Sequence, residues 1–282
     1  MQSYYKHLNI KSVIITGKDS IDYLQRISTN DCSRLREVIF LTTCFLNDKG
    51  KLVDICDLFY DNSKIYLISC STKFDETIKL LQKYIITDDV EISKNIDSFD
   101  YVEFVNCDEK YVAEFNLPYG MDAKSGRWKV LFINSVSNIN STLNEIKTDE
   151  FSYLNITSGL INVNENIYLQ FNPLELNLWE YISFTKGCYL GQEIIARLDS
   201  YQKVSKILVL LSRKKEGVKQ LATQLLNENG EFAGKIITES RSNSIFYYLA
   251  VITSKMEECL KFKLETAEYE LVKEKTFRHI AR

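Results

Sequence analysis

The 282-residue chain is poor in proline, histidine and tryptophan, with two of each, and it has no Cys-x-x-Cys pair. Each shortage excludes something. No stretch approaches the ~18 apolar residues that a membrane span needs, so no membrane partner is expected. His7 and His279 stand near opposite ends, which argues against a His-based catalytic triad and against a His-rich metal site. The cysteines, at 32, 44, 56, 70, 107, 188 and 259, are odd in number and far apart. That spacing fits neither a disulfide framework nor a zinc knuckle, and it points to reduced thiols in a cytoplasmic protein without a permanently bound metal. The opening MQSYYKHLNIKS lacks the apolar core of a secretion signal. With only Pro118 and Pro173, there is no proline-rich linker and no low-complexity segment.

What is present is an ordinary globular composition, 45% hydrophobic and 26% charged. The formal charge is 35 − 38 = −3, unevenly spread. Residues 201–282 carry 15 basic and 10 acidic side chains, or +5, which leaves −8 for the rest. The shift suits two modules and is not a signature of direct nucleic-acid binding.

The pattern opens as strand 12–16 followed by a helix with Ile21, Leu24 and Ile27 on one face. Strands 38–46 and 51–60 flank Asn47-Asp48-Lys49-Gly50, which has the chemistry of a tight hairpin. A third strand, 64–70, and a helix over 72–84 follow. Further on, strand 90–93 and a hairpin of 101–105 with 111–115 are expected, then short helices at 139–147 and 149–157. Cys44, Cys56 and Cys70 read as small core hydrophobes. Apolar runs at 206–211, 234–238 and 244–252 indicate a small antiparallel barrel or sandwich. We place a domain boundary at residue 203, giving an α+β domain over 1–203 and a C-terminal β-barrel domain over 204–282.

Residues 183–197 carry the chemistry. Gly187 and Gly191 bracket Cys188, and Ile194, Ile195 and Leu198 then form a helical face. Cys188 therefore precedes a helix N-terminus and lies two residues from Lys186. Both features favour a thiolate and make Cys188 a candidate nucleophile or soft-metal ligand. Tyr189 could stack on a flat heterocycle or simply sit beside the turn. Gln192 could bond a ligand edge or cap the helix. Glu193 and Arg197, four apart, could form a surface ion pair worth ~0.3–0.5 kcal/mol or could order the Cys188 loop.

The run Lys186-Gly187-Cys188-Tyr189-x-Gly191-Gln192-Glu193-x-x-Ala196-Arg197 resembles the motif of the YgfZ family, relatives of the aminomethyltransferase (T-protein) of the glycine cleavage system. Asn172-Pro173-Leu174-Glu175, Thr29-Asn30-Asp31 and Lys49-Gly50-Lys51 extend the resemblance over nearly the whole chain. It implies an aminomethyltransferase-like folate-binding body with a C-terminal antiparallel barrel. It also implies a tetrahydrofolate-type ligand, Cys188 as the working thiol, and iron–sulfur client or assembly proteins as partners, tRNA-modifying enzymes among them. Lys186, Gly187, Tyr189, Gly191, Gln192, Glu193 and Arg197 are the ligand-site residues so implied. The transferases place an Asp in the strand after the hairpin. Here Ile55 takes that place, Asp54 stands one residue early and is the candidate carboxylate, and Asp57 follows. A folate-dependent one-carbon transferase and a ligand-free scaffold are the alternatives.

Overall fold

The computed structural model describes residues 1–94, 99–133, 139, 143–201, 204–214, 223–264 and 270–279. The expected boundary at residue 203 lies outside them. The chain forms two compact units, one of residues 1–147, 162–169 and 180–194 and the other of residues 148–161, 170–179 and 195–282.

The first unit is built on two five-stranded sheets. One runs Phe40–Leu46, Leu52–Asp61, Lys64–Ser69, Lys11–Thr16 and Glu91–Lys94, all antiparallel. The other runs Asn144–Glu145, Ser3–Lys6, Phe99–Val105, Trp128–Ile133 and Tyr119–Met121. Period-2 alternation assigns their faces. Cys56 and Leu58 face a core shared with helices Ser20–Ile27 and Phe74–Lys83, and Val53 joins them at the register shift between Leu52 and Asp54. Phe40, Phe59, Tyr66 and Ile68 face the second sheet, where Tyr101 and Leu131 meet them. On that sheet's far side Val102, Phe104, Val130 and Phe132 pack with Val112 of the short helix Glu109–Ala113. The expected helical face Ile21/Leu24/Ile27 is buried as the spacing required.

Two expectations fail locally. Residues 111–115 are not a strand: Glu109–Ala113 is helical, and strand Phe99–Val105 pairs instead with Ser3–Lys6 and Trp128–Ile133. Asp108 caps this helix by accepting from the Tyr111 N–H at 2.8 Å. Tyr111 and Phe115, one helical turn apart, both pack on Phe104. The helix expected over 139–147 is absent where it is described, since Asn144–Glu145 is a strand parallel to Ser3–Lys6, and residues 140–142 lie outside the described residues.

The second unit holds a closed six-stranded antiparallel barrel. Its strand order is Lys206–Lys214, Ile245–Thr253, Phe232–Ser242, Gln224–Leu226, Lys261–Leu264 and Glu270–Phe277. Val209, Leu211, Ala250, Ile252, Phe262 and Leu271 fill its core. Helix Thr148–Ser158 packs outside strand Phe232–Ser242. The α+β body with its C-terminal barrel is thus the architecture expected. Among the described residues no helix is long and apolar enough to cross a membrane.

Candidate functional site

Residues 181–192 form a loop stitched along the end of the first helix. The Tyr181 carbonyl accepts from the Thr29 hydroxyl at 2.7 Å, the Ser183 N–H donates to the Thr29 carbonyl at 3.0 Å, and the Leu190 N–H donates to the Arg26 carbonyl at 3.0 Å. Lys186 locks the middle. Its Nζ donates to the carbonyls of Ser28 (2.8 Å) and Asn30 (2.7 Å) and lies 5.2 Å from the centre of the Tyr189 ring. Burial pulls the Lys186 ammonium down to about 8, against the opposing pull of Cys32 and Asp31. Lys186 is therefore an anchor, not an exposed lysine, and Cys188 is not among its hydrogen-bond partners.

The loop closes in a tight turn. The Gln192 N–H donates to the Tyr189 carbonyl at 3.1 Å, and the Gln192 side-chain oxygen accepts from the Tyr189 N–H at 3.3 Å. Gly191 supplies φ +81° at the third position, where a side chain is disfavoured. A Cβ there would stand 2.7 Å from the Asn47 carbonyl oxygen and 3.1 Å from the Gly50 Cα. Gly50 ends the Asn47–Gly50 turn, and a Cβ on it would stand 2.9 Å from Ile194. Three segments far apart in sequence, 29–31, 49–51 and 186–192, are thereby brought together. Tyr189 is buried beneath the loop, so a phenol free to stack on a ligand is not what this side chain offers.

Gly187 and Cys188 are exposed on this fixed frame. Helix Gln192–Ser200 follows. Glu193 and Arg197 are both exposed.

Asp54 is not brought to this loop. Strand alternation turns it, with Cys56 and Leu58, toward helix Phe74–Lys83. There its carboxylate accepts from the Ile55 N–H (2.8 Å), Ser69 (3.0 Å) and Thr77 (2.8 Å). Burial raises this carboxyl to about 6, and those hydrogen bonds restrain the rise. A carboxyl that holds its proton more tightly when folded stabilises the fold at low pH and withdraws that support as pH rises through the folded value. We expect Asp54→Asn to gain stability relative to the wild type on going from about pH 4 to about pH 7. Urea unfolding at both pH values checks this, and an unchanged difference would contradict it.

The opposite face of the same strand carries what the sequence reading missed. Lys129 Nζ donates to Asp57 Oδ1 (3.1 Å), Asp57 Oδ2 (2.9 Å) and Asp122 Oδ2 (3.1 Å), all between the two sheets. Asp57 also accepts from the Thr42 and Tyr101 hydroxyls. Asp122 also accepts from Tyr181 (2.8 Å) and, through Oδ1, from the N–H groups of Lys124 and Ser125 and the Ser125 hydroxyl. Burial opposes the charge of Asp122, but Lys129, Ser125 and Tyr181 outweigh it and hold the carboxyl well below the usual range. The signal was present: Glu103 and Lys129 occupy the inward-facing register of otherwise apolar strands.

No family model matches the chain. The tRNA-modifying protein YgfZ of Aliivibrio fischeri strain MJ11 is 26% identical over 282 residues, covering 92% of this chain and 88% of that protein. The protein of the same name from Colwellia psychrerythraea strain 34H is 25% identical, covering 82% and 79%. The chain is YgfZ-like. The crystal structure of the glycine cleavage system aminomethyltransferase T from Bartonella henselae matches with a TM-score of 0.75, covering 99% of this chain and 85% of that one. At 11% identity that likeness shows an aminomethyltransferase-like fold. Of the segments that carry the YgfZ-like motifs, 29–31, 49–51 and 186–192 meet around the Cys188 loop.

Proposed function

We propose that this chain assists the assembly or repair of iron–sulfur clusters in client enzymes of the cytoplasm, with Cys188 as its working thiol. One observation carries the reading: Cys188 is exposed on a loop whose backbone is fixed by Lys186 and the Tyr189–Gln192 turn. An exposed thiol on a rigid frame can meet a partner's metal without first paying to order itself. Clusters usually take four thiolates. Cluster iron is therefore cargo, which Cys188 contacts together with a client protein or a second copy.

Tetrahydrofolate is the ligand class that the resemblance implies. Chemistry on its nitrogens needs a carboxylate facing it with a free lone pair. Asp54 faces the wrong side of its strand, and the oxygens of Asp57 and Asp122 are engaged by protein donors. These residues do not fit one-carbon transfer.

The relatives' name, tRNA-modifying protein YgfZ, points to tRNA modification as the first readout, and on our reading the clients there are iron–sulfur enzymes. In a strain lacking its own YgfZ-type protein, expression of this chain should restore the nucleosides those enzymes make, read by mass spectrometry of digested tRNA. Normal accumulation of the protein without restoration would contradict the proposal.

A further inference from the structure

From sequence, the separation of His7 and His279 argues against a His-based triad, and Cys70 reads as core. The fold joins His7 and Cys70. Cys70 Sγ lies 3.5 Å from His7 Nδ1, and His7 Nε2 lies 3.0 Å from Glu103 Oε1. The other Glu103 oxygen meets Arg127 at 3.4 Å. Tyr101 stacks on the imidazole with ring centres 4.6 Å apart, and Tyr5 meets its edge at 5.0 Å. The His7 and Glu103 side chains are 10% and 8% exposed, so the pair is shielded from water, while Cys70 is half-buried and not sealed.

A nucleophile within reach of a base, with the base oriented by a third group, is the arrangement that activates thiols. The order here is thiol, imidazole, carboxylate, with the two partners on opposite ring nitrogens. That geometry suits proton transfer and not shared metal ligation, and among the described residues no group of three His, Cys, Asp or Glu is placed to hold a metal ion. We propose that Cys70, His7 and Glu103 form a second reactive-thiol site, distinct from the Cys188 loop, whose substrate class is small hydroperoxides.

The groups facing His7 include Cys70, Glu103, Tyr101 and Tyr5, with Arg127 and Lys129 behind Glu103. Burial works against the imidazolium, but the hydrogen bonds to Cys70 and Glu103 outweigh it and raise His7 to about 9. The ring thus holds a proton at neutral pH, placed for the leaving oxygen. In the reaction the Cys70 thiolate attacks one peroxide oxygen. An S–O bond forms and the O–O bond breaks, with two electrons passing from sulfur to peroxide. The leaving hydroxide takes the proton from His7 and departs as water, so the products are a sulfenic acid, water and neutral His7.

The test uses the full chain, limiting hydrogen peroxide and a dimedone trap, with each cysteine read by peptide mass spectrometry. In the wild type Cys70 should be labelled ahead of Cys188. His7→Gln should slow Cys70 roughly tenfold or more and leave Cys188 unchanged. Glu103→Gln should slow Cys70 by a smaller factor. Buried Cys44 and Cys56 report the fold. If they are labelled in His7→Gln, the comparison is read from Glu103→Gln. Labelling of Cys70 no faster than of Cys188, or a Cys70 rate unmoved in the variant that keeps its fold, would overturn the proposal.

Discussion

Lys129→Met is expected to cost about 3–5 kcal/mol of folding stability, the penalty for stranding buried charges when their partner is removed. The ammonium is 10% exposed and bonds Asp57 twice and Asp122 once, so one substitution leaves two carboxylates without their counter-ion. Methionine keeps the length and the apolar stem, which limits any cavity and isolates the electrostatic loss. The loss depends on pH in a fixed direction. The depressed Asp122 carboxyl contributes stability that is present above its unfolded value and is lost as pH falls through the folded one. In the variant, protonation relieves the stranded charge, so the gap to the wild type narrows toward about pH 4. Adding Asp122→Asn to Lys129→Met should recover part of the loss at neutral pH. Urea unfolding of the three proteins measures both effects. A Lys129→Met protein within about 1 kcal/mol of the wild type would show that the cluster is solvated after all.

That cluster marks where the sequence stops being informative. Alternation in Leu52–Asp61 already separates Asp54 from Ile55 and Asp57. What it cannot supply is which face meets a second sheet. Glu103 and Lys129, single charges in the apolar register of Phe99–Val105 and Trp128–Ile133, read as solvated, because one buried face is the usual state of an antiparallel strand. Here both faces are covered, and Glu103, Arg127 and Lys129 are buried with partners from remote parts of the chain. The same limit hid the His7–Cys70 contact. Sixty-three residues of separation say nothing about distance once strands pair.

Local chemistry was legible where a short-range rule applied. The Asn47–Gly50 turn, the Ile21/Leu24/Ile27 face and the barrel strands follow from turn residues and hydrophobic period. At the site, the two glycines bracketing Cys188 indicated a tight loop. Only the structure shows that the loop is held by Lys186 through the Ser28 and Asn30 carbonyls and not by an ion pair with the thiol. The strand expected over 111–115 failed because aromatic residues at 111 and 115 suit a helical turn as well as a strand of mixed pattern.

The second large effect belongs to Cys188. Its side chain touches solvent, so Cys188→Ala removes no buried contact and should shift stability by no more than about 0.5 kcal/mol. Function should nevertheless be lost outright, because no neighbouring group on the loop can supply a soft sulfur ligand or nucleophile. Cys188→Ser, which keeps size and polarity but not the sulfur, should fail equally. The decisive measurement is restoration of iron–sulfur-dependent tRNA nucleosides in a strain lacking its own YgfZ-type protein, comparing wild-type chain with Cys188→Ala at matched protein levels. The account predicts full restoration by the first and none by the second. Equal restoration by both would contradict it.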